Sequence, residues 1–277
     1  MQQTTTFRTV LLGAAAILAG CGDASRIATG PGRPNADVVS PVFDQTTLNK
    51  KNDVQIVSAT GDITGAVNQY RGLLGTLNPN VVGEKRDGRR EINWDGVPAA
   101  FTNNDLFPGN FFNVNSPRGV LFTTDGSAFR ISDNGYVDVN PNYAGEFNVF
   151  SPTKLFATRG GTIVDVQFLV AGTNTPAAVT GFGSVFEDVG REHSTTIEYF
   201  DADGHRLLTV KAPRATDATG LSFVGAVFES PVVARVRITS GDTPIDATAD
   251  DNVKGAGKKR DIVVMDDFIY GEPHARY

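Results

Sequence analysis

Between Glu91 and Tyr270 the chain is broken into short runs in which apolar and polar residues alternate, and turn-forming residues separate the runs. A period of two is the mark of strands that bury one face and wet the other. The runs are Arg118–Thr123, Ser127–Ser132, Phe147–Phe150, Ile163–Val170, Ala177–Asp188, Thr195–Phe200, Arg206–Lys211, Leu221–Phe228, Val232–Thr239 and Ile262–Tyr270. Alternation is clearest where Arg235 and Arg237 face one way and Val236 and Ile238 the other. Asp125-Gly126, Asp133-Asn134-Gly135 and Asp201-Ala202-Asp203-Gly204 supply the turn chemistry of hairpin loops. Strands at roughly 8–12-residue spacing, with little helix among them, predict a mainly β fold, an antiparallel β-sandwich or jelly roll over 91–277. Eighteen Phe against one Trp and six Tyr fit such an interior, because Phe fills space without a polar atom to satisfy. Phe107, Phe111 and Phe112 either plug an end of the sandwich or form an exposed apolar patch.

One amphipathic helix is expected in the preceding segment, 46–90, packed on the sandwich. Ile63, Val67, Tyr70, Leu74 and Leu77 share one helical face, with Asp62 as N-cap and Gly75 or Asn78-Pro79 as the stop. Gly65 and Gly72 weaken it, so it needs the sheet beneath it.

The amino terminus carries an address. Arg8 is followed by the apolar run Val10–Gly20 and then Cys21. A basic n-region and a short apolar h-region ending at small residues form a secretory signal, and this one is too short to span a bilayer. Leu18-Ala19-Gly20-Cys21 resembles the bacterial lipobox at every position. That resemblance implies cleavage after residue 20 and a lipid on Cys21, hence a cell-envelope location with the membrane as partner. Gly22 rather than Asp after the cysteine implies the outer membrane over the inner in a Gram-negative cell. Residues 21–45 are rich in Gly, Pro, Ser, Asp and Asn and read as a flexible tether with a reach of roughly 25–30 Å.

Cys21 is the only cysteine, which excludes an internal disulfide and any cysteine-rich metal site. A formal charge of −6 argues against a nucleic-acid partner. The basic clusters Lys85–Arg90 and Lys258–Arg260 are short and read as solvated loops, or as contacts to anionic lipid or surface polysaccharide.

Catalytic motifs are missing. Gly181-Phe182-Gly183-Ser184-Val185 does not match a nucleophile elbow, and His193, His205 and His274 lack zinc-binding spacing. The acids set within apolar runs are more informative. Asp266 and Asp267 are adjacent in Val263–Tyr270, so one of them faces the core side unless a bulge intervenes. Phe186-Glu187-Asp188-Val189 is similar, and a buried carboxylate needs a cation, an Arg or backbone N–H groups.

Gly181–Gly183, Val185–Asp188, Ile197–Asp201 and Met265–Gly271 resemble uncharacterised exported bacterial β-sandwich proteins, some with PEP-CTERM sorting tails, and more loosely carbohydrate-binding jelly rolls. Here the chain ends at Tyr277 without an apolar tail, so Cys21 is the expected anchor. The jelly-roll resemblance implies a structural calcium ligated by Asp266 or Asp267, with Asp188 as a further ligand; Arg or backbone amides are the other expectation for these acids. Asp201 and Asp203 are expected to form the turn instead.

The expected function is a lipid-anchored, non-catalytic binding module with glycan as preferred ligand and polysaccharide or envelope proteins as partners. Trp94, the only tryptophan, is the candidate sugar platform, although Glu91–Gly96 also allows it to be buried. The alternatives are a structural envelope component and a hydrolase assembled from Glu187, Asp188 and Glu198.

Overall fold

The computed structural model of the chain describes residues 54–216, 220–249 and 260–276. The signal segment, Cys21, the tether, Lys258 and Lys259 lie outside the described residues. In chain order the strands are β1 Val54–Thr60, β2 Arg89–Ile92, β3 Val120–Thr124, β4 Ala128–Ser132, β5 Leu155–Arg159, β6 Ile163–Phe168, β7 Ala177–Ala178, β8 Gly181–Glu187, β9 Thr196–Phe200, β10 Arg206–Lys211, β11 Leu221–Phe228, β12 Arg235–Thr239, β13 Val264–Gly271 and β14 His274–Ala275; the main helix, α1, is Thr64–Leu74.

Two antiparallel sheets form the sandwich. One runs β1-β11-β8-β13-β5-β4, with β2 also paired to β13; the other runs β10-β9-β12-β6-β3. Phe168, Val236 and Tyr199 from the five-stranded sheet meet Phe182, Phe268 and Tyr270 from the seven-stranded one in a shared core. Tyr199 ties the layers, its hydroxyl donating to the Phe182 carbonyl at 2.7 Å and accepting from the Ala226 N–H at 3.1 Å.

Burial differs between the sheets for a reason visible in their strands. Every residue of β8 and β13 is buried, because α1 covers part of their outer face and the Tyr136–Phe147 segment covers another part. Strands covered on both faces read as nearly continuous apolar runs. In β9 and β12 burial alternates residue by residue, because the outer face of that sheet is wet. There Arg235 and Arg237 clamp Asp165 at 2.5 and 2.7 Å.

Helix α1 buries Val67, Tyr70 and Leu74 against the seven-stranded sheet. Glycines let it approach: a Cβ on Gly225 would sit 2.7 Å from the Tyr70 ring, and one on Gly183 would sit 2.9 Å away. The Tyr70 hydroxyl donates to the Ala226 carbonyl at 3.1 Å. Asp62 accepts the Thr64 N–H at 3.1 Å in the manner of an N-cap side chain, just ahead of the first helical residue, and Gly75 ends the helix at φ 91°. Leu77 lies beyond that end and is exposed, off the buried stripe on which the sequence pattern placed it.

Several boundaries differ from the sequence reading. The segment 46–90 is more than helical, because β1 and the start of β2 lie within it and both belong to the seven-stranded sheet. Phe147–Phe150 forms no strand. Arg89 and Arg90 sit in β2 instead of a solvated loop; Arg90 is 0% exposed and grips Glu272 with two bonds of 2.7 Å. Phe107, Phe111 and Phe112 are buried in the main core, so they plug the sandwich and expose no patch.

Candidate functional site

The pairing of β13 with β8 contains a bulge. Met265 stands opposite Phe186, but pairing resumes at Phe268 opposite Ser184, so three steps on β13 match two on β8. Met265 and Phe268 therefore both enter the core. Asp266 and Asp267 are left together on the outer side, which resolves the conflict that simple alternation creates.

The two carboxylates are adjacent in sequence and both buried. Asp266 accepts the N–H groups of Phe150 (2.7 Å) and Ser151 (3.2 Å) and the Ser151 hydroxyl (2.8 Å). Its carbonyl takes the Trp94 indole N–H at 2.7 Å. Asp267 turns one oxygen to Arg71 at 3.2 Å, and its other oxygen, Oδ1, has no hydrogen-bond partner. Burial raises both groups above the usual carboxylate range, and the Asp267 charge raises Asp266 further.

Arg71 extends from α1 across this floor. Its Nε and Nη2 grip Glu91 of β2 at 2.9 and 2.8 Å, while Arg89 reaches the same carboxylate at 2.6 Å. Burial pushes Glu91 upward, but the bonds from Arg71 and Arg89 outweigh it and hold the group below its ordinary range. Around these residues opens a cleft of about 430 Å³, lined by Asn78, Asn80, Asn93 and Arg118 with Leu77, Phe150 and Pro152. Planar hydrogen-bonding groups thus face one opening beside apolar surface, carried on the loops that follow α1 and β2 and on those that precede β3 and β5.

The other predicted residues fall elsewhere. Trp94 is 1% exposed and stacks on Phe156 at 4.1 Å, inside a ring of phenylalanines. It is a core residue and offers no face to a sugar. Among the described residues, three ligand atoms of His, Cys, Asp or Glu come within 4.8 Å of one another at Asp201, Asp203 and His205, and Asp188, Asp266 and Asp267 form no such group. The donors on Asp266 aim hydrogens at both its oxygens, which suits a carboxylate held by backbone amides and a hydroxyl. Asp201 shapes its hairpin, accepting the N–H groups of Asp203 (2.9 Å) and His205 (2.8 Å). Glu187 and Asp188 end the buried β8, whereas Glu198 lies on the wet face of the other sheet, paired with Arg206 at 2.8 Å. The suggested hydrolytic trio therefore does not converge.

Arg71, Asn80 and Arg118 were not singled out as site residues from the sequence, and Asn78 entered only as a helix stop. Arg118 stood inside a predicted strand and Arg71 on the polar side of the helix, and neither position alone marks a cleft that forms only when α1, β2 and the 150–152 loop meet.

Comparison with known protein families and with curated proteins finds no match. Among solved structures, the chain is similar to a glycoside hydrolase family 43 arabinoxylan arabinofuranohydrolase from Bacillus subtilis, in complex with cellotetraose, at a TM-score of 0.28 and 12% identity over 58% of this chain and 28% of that one. It is similar to the enzymatically active domain of bacteriophage CBA120 tailspike protein 4 at a TM-score of 0.27 and 12% identity, over 64% of this chain and 22% of that one. It is also similar to TmCBM61 in complex with β-1,4-galactotriose, at a TM-score of 0.27 and 11% identity over 62% of this chain and 99% of that one. The chain spans about a quarter of the first two proteins. Likeness at this level carries no argument about activity. What the residues themselves define is an antiparallel β-sandwich protein with a polar cleft on the covered face of its larger sheet.

Proposed function

We propose that the chain is a non-catalytic glycan-binding protein of the cell envelope, exported and anchored by a lipid on Cys21, with a jelly-roll sandwich carried on the 21–45 tether. The observation that carries the binding reading is the cleft itself. Sugar hydroxyls pair with planar amide, guanidinium and carboxylate groups, and sugar C–H faces rest on apolar side chains; the cleft sets Asn78, Asn80, Asn93, Arg71 and Arg118 beside Leu77, Phe150 and Pro152. Its carboxylates, Glu91 and Asp267, are both tied to Arg71, which favours recognition over proton transfer. The lipobox at Leu18–Cys21 supports the anchor, and Gly22 the outer membrane.

A glycan array probed with protein lacking residues 1–21 tests the binding reading. Retained sugar that is lost on Asn80→Ala is the expected result. No retained sugar would leave a structural envelope component as the better account. Mass spectrometry of the native protein tests the anchor, with a diacylated Cys21 at the new amino terminus expected.

A further inference from the structure

Among the described residues, Arg118 is the one cation of the cleft lining without a carboxylate partner. Arg71 is neutralised by Glu91 and Asp267, and behind it Arg89 pairs with Glu91 and Arg90 with Glu272. Arg118 instead sends its Nε to the Glu91 backbone carbonyl at 2.9 Å and Nη1 to the Ser116 hydroxyl, and it lies over the Phe112 ring at 4.9 Å. Among the described residues no Asp or Glu oxygen lies within 4.0 Å of it. The remaining nitrogen, Nη2, has no hydrogen-bond partner among the described residues and belongs to a side chain that lines the cleft. A half-buried guanidinium held by carbonyl, hydroxyl and ring, in a protein of net charge −6, is a cation kept in place without its counter-ion.

We infer that the glycan taken by this cleft is acidic, and that a sugar carboxylate of the uronate class pairs with Arg118 while Asn78, Asn80 and Asn93 meet the ring hydroxyls. This inference rests on the glycan-binding reading above. It separates from that reading because a neutral sugar could fill the same cleft without using the charge.

The test uses the full chain in mild detergent and three acidic polymers, polygalacturonate, alginate and hyaluronan, each compared with its methyl-esterified form. The ester keeps the sugar backbone and removes the charge. We expect at least one acid polymer to bind about tenfold tighter than its ester, with the preference shrinking as salt rises. Arg118→Gln should bring acid and ester together, while Arg118→Lys, which keeps the charge, should retain most of the preference. Thermal midpoints of both variants show whether loss of the Glu91 bond has harmed the fold, and the wild-type comparison needs no variant at all. Equal binding of acid and ester, or binding of neutral glycans alone, overturns the acidic assignment and leaves the glycan reading standing. Binding of no polymer, charged or neutral, overturns both.

Discussion

Glu187 closes β8 on the covered face of the larger sheet, 0% exposed, between Leu221 of β11 and Val264 of β13. Gly220 packs so closely that a Cβ there would sit 2.2 Å from Glu187 Oε1, and no well-formed hydrogen bond reaches either buried carboxylate oxygen. Burial pushes the Glu187 pKa up to about 9; the Asn148 amide opposes the rise, and the charges of Asp188 and Asp266 add to it. In the unfolded chain the group titrates near 4.3. Between those values the folded protein keeps a proton that the unfolded chain releases. The stabilising effect of that proton is thus complete below about pH 4.3 and is lost as pH rises, by up to about 1.4 kcal/mol per unit, until it levels off at about pH 9. At about pH 7.5 the accumulated loss is on the order of 4 kcal/mol.

Glu187→Gln preserves the shape and has no proton to lose. Urea unfolding of wild type and variant, compared at about pH 4.5, 6 and 7.5, should give nearly equal stabilities at the acid end and a variant advantage that widens with pH. Comparing the two proteins at each pH removes the titration of the carboxylates that do not interact with Glu187. A difference that does not change with pH, or a variant less stable than wild type at pH 7.5, would refute the reasoning.

Other consequences are simpler to check. Glu272→Ala strands Arg90 in the interior and should cost about 3–5 kcal/mol in chemical unfolding. Gly225→Ala drives a methyl into the Tyr70 ring and should cost about 1–3 kcal/mol, partly restored by combining it with Tyr70→Leu. EDTA should leave the thermal midpoint unchanged, since amides and Arg71 already hold Asp266 and Asp267. The lone tryptophan should emit at the blue end of its range and resist iodide quenching until the protein unfolds.

The strands of the wet sheet were legible because one buried face forces alternation; Arg235–Ile238 shows the period plainly. The Asp201 hairpin was legible because its turn is built from neighbouring residues. What escaped depends on distant partners. The bulge at Asp266 and Asp267 is defined only by where β8 resumes pairing, so sequence could pose the problem of two adjacent buried acids without choosing its solution. Arg90 read as a surface charge because its counter-ion, Glu272, lies 182 positions away. Trp94 had equal licence to be platform or core until the phenylalanines gathered around it. The cleft escaped for the same reason, since its walls come from separate parts of the chain.

The open outer face of the five-stranded sheet, with its Asp165, Arg235 and Arg237 ladder, is the natural competitor for a ligand. A crystal of the protein soaked in the oligosaccharide that the array ranks first decides between them. Sugar density lying between Arg118 and Phe150, with hydroxyls on Asn78 or Asn80, is the predicted result. Density seated across Arg235 and Arg237 instead, with the cleft holding only water, would contradict the account.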